Sequence, residues 1–239
     1  MFGYVSLAIM VATIVVPVVL IIAVFRARKT GTATPIVRIA LIVSATWAGL
    51  ALLRTVVVAV FWFTPNTYPF LTLRSRPYWP APTAWDAALG ADVDGLGIQT
   101  GGFTTASVTA SGLSVATRVI LASGDALAGL VTIVLTGLVA FTCFRLLRER
   151  PFAPELSRLS LIAGVVCLAG GFASQVLLQL GGSAATGELI RGGMAPDGLV
   201  ADGGLALDFW PLWVAIGLGA FSVFLRYGVS LQRETEGLV

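Results

Sequence analysis

Five stretches of this chain stay apolar for about the 20 residues that a helix needs to cross a hydrocarbon core. They are Gly3–Phe25, Ile39–Phe63, Ala126–Phe144, Leu159–Leu180 and the shortest, Phe209–Leu225. Few folds are open to such a sequence. Its residues are 57% hydrophobic and 11% charged, whereas a soluble domain covers itself with about 25% charged residues. Much of its surface must therefore face something apolar. The expected fold class is an all-α membrane protein, a bundle of five transmembrane helices forming one integral membrane domain over residues 1–239, with the lipid bilayer as its first partner. A small extracytoplasmic cap with short β-strands is expected on top. The first run has no basic flank before it and is too long for a secretory leader, so it is expected to stay as a span.

Arginines near span ends set the orientation. Arg26, Arg28, Lys29, Arg38, Arg145, Arg148, Arg150, Arg158, Arg226 and Arg233 fall on one side; Arg74, Arg76, Arg118 and Arg191 fall on the other. The richer side is expected to be cytoplasmic. The N-terminus is then outside, the C-terminus inside, and the loops 64–125 and 181–208 are extracytoplasmic. Fourteen arginines against one lysine suggest a high-GC bacterial genome, and hence a bacterial plasma membrane.

The first outer loop opens with "TPNTYPFLTLRSRPYWPAP", whose prolines bar a long helix. Tyr68, Tyr78, Trp79 and Trp85 suit the headgroup layer. The following "LGIQTGGFTTASVTASGL" predicts one or two short strands, and "LSVATRVILASGD" a short helix running into the third span. The Gly-rich second loop, with "DGLVADGGLAL", is a candidate partner for those strands.

Arg54 interrupts the second run. It lies 15 residues past Ile39, about 22 Å along a helix at about 1.5 Å per residue, in the outer third of a core about 30 Å thick. Its side chain can snorkel to the headgroups, or pair with Asp125 or Asp208 at the entrances of other spans, or form part of a binding site. Gln175 and Gln179, one turn apart, are placed to face Arg54 and Asp125. The candidate intramembrane polar cluster is thus Arg54, Asp125, Asp208 and Gln175. Asp208 is also a candidate N-cap for a helix whose first turn holds Pro211.

Small residues recur at four-residue spacing, as Ala163, Cys167 and Gly171, Ala45 and Gly49, and Ala215 and Gly219. Such rows let helices approach closely in lipid. Packing within the chain is the expected use, and a homodimer seam the other.

Little in the sequence points to catalysis. It holds no histidine, which removes the commonest metal ligand and general base. Cys143 and Cys167 lie inside apolar runs and are expected to be small buried hydrophobes. Asp92 and Asp94 in "ADVDGLG" lack the further ligands of a calcium loop and suit an Asx-turn. No phosphate-binding glycine loop, nucleophile elbow or zinc-protease motif appears. Asp86, Glu188, Asp197 and Asp202 show no acid/base spacing. No enzyme activity, cofactor, metal or direct nucleic-acid contact is expected.

The chain ends on "FSVFLRYGVSLQRETEGLV". Phe224, Tyr227 and Leu231 share one face at helical spacing, with Glu234 nearby. This face suits either the inner headgroups or a cytoplasmic docking partner. The tail "FLRYGVSLQRETEGLV" and the inner loop "RLLRERPFAPELSRLSLIAG" resemble a family of bacterial membrane proteins known as domain of unknown function 2975. The resemblance rests on Phe224, Gly228, Leu231, Glu234, Glu236, Leu238, Val239, Pro151 and Phe152. It covers residues 39–239, with the first span and the Pro-rich loop as additions to a four-span plan. It implies a small inner-membrane bundle and carries over no catalytic residue; members of that family are often encoded beside a small helix-turn-helix regulator. The function expected is regulatory or sensory, with that regulator as cytoplasmic partner. The alternative is a small carrier or lipid-binding protein that uses Arg54 for an anionic group.

Overall fold

The computed structural model describes residues 34–64, 70–78, 92–93, 96–97, 103–148, 154–193 and 204–236. The apolar run Gly3–Phe25 lies outside them, as do Tyr68, Trp79 and Trp85. The described residues form α1 (Thr34–Phe63), β1 (Phe70–Tyr78), β2 (Asp92–Val93), β3 (Leu96–Gly97), β4 (Phe103–Thr109), α2 (Val115–Leu147), α3 (Pro154–Arg191) and α4 (Trp210–Glu236). Four helices are long and apolar enough to cross a membrane: Pro35–Phe63, Val115–Leu147, Glu155–Arg191 and Trp210–Ser230. They fit a multi-pass membrane protein.

All four helices outrun the apolar stretches that announced them, α2 and α3 the furthest. At about 1.5 Å per residue the 33 residues of α2 and 38 of α3 run about 50 and 57 Å, against a hydrocarbon core of about 30 Å. "LSVATRVILASGD" is helical from Val115 and runs on into the span, as expected. The second outer loop was expected to begin at Gly181, yet α3 continues through "GGSAATGELIR" to Arg191. Packing overrides glycine's low helix propensity here. A Cβ on Gly181 would come within 2.6 Å of Leu121 Cγ, and one on Gly124 within 2.8 Å of Leu178 Cγ. The glycines are what let α2 and α3 come so close. Ala185 and Thr186 are completely buried in the same stretch.

The chain divides into two compact units. The first comprises Met1–Arg54, Gly129–Gly170 and Phe209–Val239, the second Thr55–Ala128 and Gly171–Asp208. The core of the first unit is Leu138, Leu156, Ala163 and Leu225, flanked by Val134, Phe141, Leu218 and Phe221. Beside it a polar seam joins α3 to α4. Ser157 Oγ lies 3.0 Å from Ser222 Oγ, and Ser222 Oγ donates to Ser157 O at 2.8 Å. Ser160 Oγ donates to Leu218 O at 2.9 Å. Gly164 continues the seam, with Ala215 O 3.4 Å from where its Cβ would be. Ser157, Ser160 and Gly164 fall on one helical face, as do Ala215, Leu218 and Ser222. Of the small-residue rows, Ala163 and Cys167 are buried, Cys143 is buried as well, and Ala215 meets Gly164. Gly49 and Gly219 have nothing within 4 Å of an added Cβ.

In the second unit Trp62, Ala110, Leu113, Leu121, Ala122 and Ala185 form the core, with Val58, Val108, Leu178 and Leu189 against it. β1 pairs antiparallel with β4, Phe70 opposite Thr109 and Arg74 opposite Thr105. The register shifts between Arg74 and Tyr78. Pro77 lies in that interval and has no N–H for a ladder, which is where a bulge belongs. β2 pairs with β3, Asp92 opposite Gly97. In both pairs the partner strand comes from the first loop; the second loop, suggested as partner, continues α3 to Arg191 and is coil over 204–208.

Candidate functional site

In the second unit polar side chains join the start of α2 to the end of α3. Ser114 precedes α2, and its Oγ accepts from Thr117 N at 3.3 Å. That is the N-cap bond expected of serine. In a capping box a glutamate three residues on would reach back to the cap's own N–H. Thr117 holds that position, and the carboxylate comes from α3 instead. Glu188 Oε2 accepts from Ser114 N at 2.8 Å, and Oε1 accepts from both Ser114 Oγ and Thr117 Oγ1 at 2.6 Å. One side chain thus completes the start of α2 and ties it to α3. Arg118 Nε closes the group by donating to Leu113 O at 3.0 Å.

Three further ties lie in this unit. Trp62 is 4% exposed, and its indole Nε1 donates to Asp125 at 2.9 Å. Gln175 and Gln179 each hold one backbone residue with both ends of the amide. Gln175 accepts from Asp208 N at 2.7 Å and donates to Asp208 O at 3.0 Å. Gln179 accepts from Ala206 N at 2.8 Å and donates to Ala206 O. The spacing explains the match. Residues four apart on a helix rise about 6 Å, and residues two apart in extended chain about 6.6 Å, so one glutamine face imitates a neighbouring strand.

Of the candidate polar cluster, Asp125, Gln175 and Asp208 lie in the second unit and Arg54 in the first. Gln175 meets Asp208 through the backbone. Asp125 faces Trp62. Arg54 is exposed on α1, and among the described residues the one ion pair joins Arg145 to Glu155 at 3.7 Å. Asp208 is not the N-cap of α4. Phe209 O accepts from Leu212 N and Trp213 N, so the cap position falls one residue later, where the glutamine clamp leaves the chain free to turn.

In the first unit Phe224 is 65% and Tyr227 69% exposed. Leu231 and Glu234 lie on the backbone of α4 beyond them. Arg226 Nε donates to Ser157 Oγ at 3.1 Å. The guanidiniums of Arg145 and Arg148 lie 5.1 and 4.5 Å from the ring centres of Phe141 and Phe144, one turn back on α2. No group of three or more His, Cys, Asp or Glu residues among the described residues is placed to hold a metal ion. Sequence reasoning missed the Glu188 cap, the serine seam and Trp62. The serines carried a visible signal, since Ser157, Ser160 and Ser222 stand in apolar surroundings at helical spacing. No family model, curated protein or solved structure matches the chain.

Proposed function

We propose that the chain is a multi-pass protein of the bacterial plasma membrane that acts by binding rather than catalysis, coupling its extracytoplasmic loops to a cytoplasmic protein held by the α4 tail. The tail carries this reading. The apolar stretch of α4 ends at Ser230, but the helix continues to Glu236, and large rings stand exposed at Phe224 and Tyr227 just before it leaves that stretch. An apolar helical face beside polar turns is the usual form of a helix that docks in a groove. In this reading Gly3–Phe25 is a fifth span; the arginine distribution puts the C-terminus in the cytoplasm, and five crossings then put the N-terminus outside. The resemblance of tail and inner loop to domain of unknown function 2975 supports a helix-turn-helix regulator as the partner, with no nucleic acid touched by this chain itself.

The test is flotation. Proteoliposomes holding the full chain should carry the helix-turn-helix protein encoded beside it to the top of a density gradient. A chain truncated after Ser230, or carrying Tyr227→Ala, should leave it at the bottom. Equal recovery with intact and truncated tails would remove the proposal.

A second reading has one observation in its favour. Arg54 stands exposed on α1 amid exposed Leu53 and Val57, as suits a binding group for an anionic lipid or substrate in a small carrier. Arg54→Gln should then abolish anion uptake into vesicles; under the first reading uptake is absent from the start.

A further inference from the structure

We infer that the start of α3, with the end of α2 and the adjoining part of α4, binds the phosphate of an anionic phospholipid. The three segments meet at one node, where Leu138, Leu156 and Leu225 share a buried core with Phe141 and Phe221. Four arginines emerge around it. Arg145 is linked to Glu155, and Arg226 to Ser157, so both are held to the first turn of α3. Arg158 stands exposed one residue on, and Arg148 is exposed one turn from Phe144. Of the three acids among the described residues of the first unit, Glu234 and Glu236 lie at the end of α4, and the one paired with these arginines is Glu155. It does little to neutralise them, because its ion pair is 3.7 Å long and Glu155 is 60% exposed; such pairs are weak. The flanking sequence, with Arg150 and Arg233 against Glu149, Glu234 and Glu236, leaves the cluster positive.

The apolar surroundings choose the partner. Phe144 and Leu159 are exposed beside these arginines, on helices long enough to span a membrane. Stacking on Phe141 and Phe144 draws the guanidiniums back along the apolar stretch. A soluble acidic protein or a nucleic acid offers charge but no reason to lie on Phe144 and Leu159. An anionic phospholipid offers both, its phosphate to the arginine fork and its acyl chains to the apolar flank. Basic clusters between spans are suited to such headgroups. The site shares no group with Arg54 and does not depend on the tail's protein partner.

The full chain in a neutral detergent should be mixed with phosphatidylglycerol or with phosphatidylcholine of the same acyl chains, and bound lipid counted by native mass spectrometry. Phosphatidylglycerol should be retained selectively. Arg158→Gln, an exposed position whose loss leaves the core alone, should weaken retention about fivefold, and the double variant with Arg226→Gln further, at about fivefold per arginine removed. Arg191→Gln, in the second unit, should match the unaltered protein. Equal retention of the two lipids, full retention by the double variant, or displacement of lipid by an equal concentration of inorganic phosphate would each overturn the proposal.

Discussion

Glu188 shows how much one side chain can do when it arrives from a distant part of the chain. Its three accepted hydrogen bonds, all at 2.8 Å or less, come from the N–H of the cap residue and from the Ser114 and Thr117 hydroxyls, so it satisfies one backbone donor at the start of α2 and holds the hydroxyl that caps another. Glu188→Ala should lower stability by about 1–2 kcal/mol, the range of a lost cap, read as a fall in melting temperature of the detergent-purified protein. Ser114→Ala should lower it too. The double variant should cost less than the sum, since each removes partners of the other. Additive losses would show that Glu188 does not act through the cap. None of this was legible beforehand. A capping box is recognised by a glutamate three residues after the serine, and here that glutamate stands 74 residues away. Arg54 was legible as an anomaly, since one charge in an apolar run is visible in any window. Asp125 and Asp208 were reasonable partners for it by depth. Their settings are nonetheless local: an indole donor on Asp125 and a glutamine clamp on the backbone of Asp208.

At the scale of elements, the apolar cores of the four described helices could be read directly, because about 20 apolar residues admit few other fates. The ends could not. Hydropathy stops where side chains turn polar or small, whereas the helix stops where backbone and packing release it. α3 passes Gly181 because Leu121 fills the space that a side chain there would need. Gly181→Leu should force a rearrangement of α2 against α3 and cost about 1–3 kcal/mol, as overpacking does. Gly187 lies two turns on in the same helix with nothing within 4 Å of an added Cβ. Gly187→Ala should therefore raise stability by up to about 1 kcal/mol through helix propensity alone. Melting temperatures of the two variants should move in opposite directions; a parallel shift would mean that α3 is not continuous through this stretch. In the α3–α4 seam, a double-mutant cycle on Ser157→Ala and Ser222→Ala should return a coupling of about 0.6 kcal/mol, and not more than about 1.7, the range for hydrogen bonds between spans.

For the whole molecule the deciding quantity is the parity of the crossings. Four described helices can span; with four crossings both termini share a side, and with Gly3–Phe25 as a fifth they lie apart. Arginine placement does not choose between them, since residues 1–25 hold no basic residue and both arrangements put the same ten of the 15 on one face of the membrane; the length of the first apolar run is what favours a fifth crossing. Cysteine labelling separates the two. Cys143 and Cys167 are buried and should stay silent towards a membrane-impermeant maleimide. In intact cells Asp197→Cys, between α3 and α4, should be labelled. Gly237→Cys, after the tail, should be labelled only once the membrane is opened. Phe2→Cys then decides parity. Labelling in intact cells places the N-terminus across the membrane from the tail and makes the first apolar run a span. Labelling only after permeabilisation puts both termini on one side and leaves four crossings. The tail would still face the cytoplasm in that case, because the positions after α3 and after α4 are separated by a single helix whatever the first run does, so the docking proposal and the count of spans stand or fall on different cysteines.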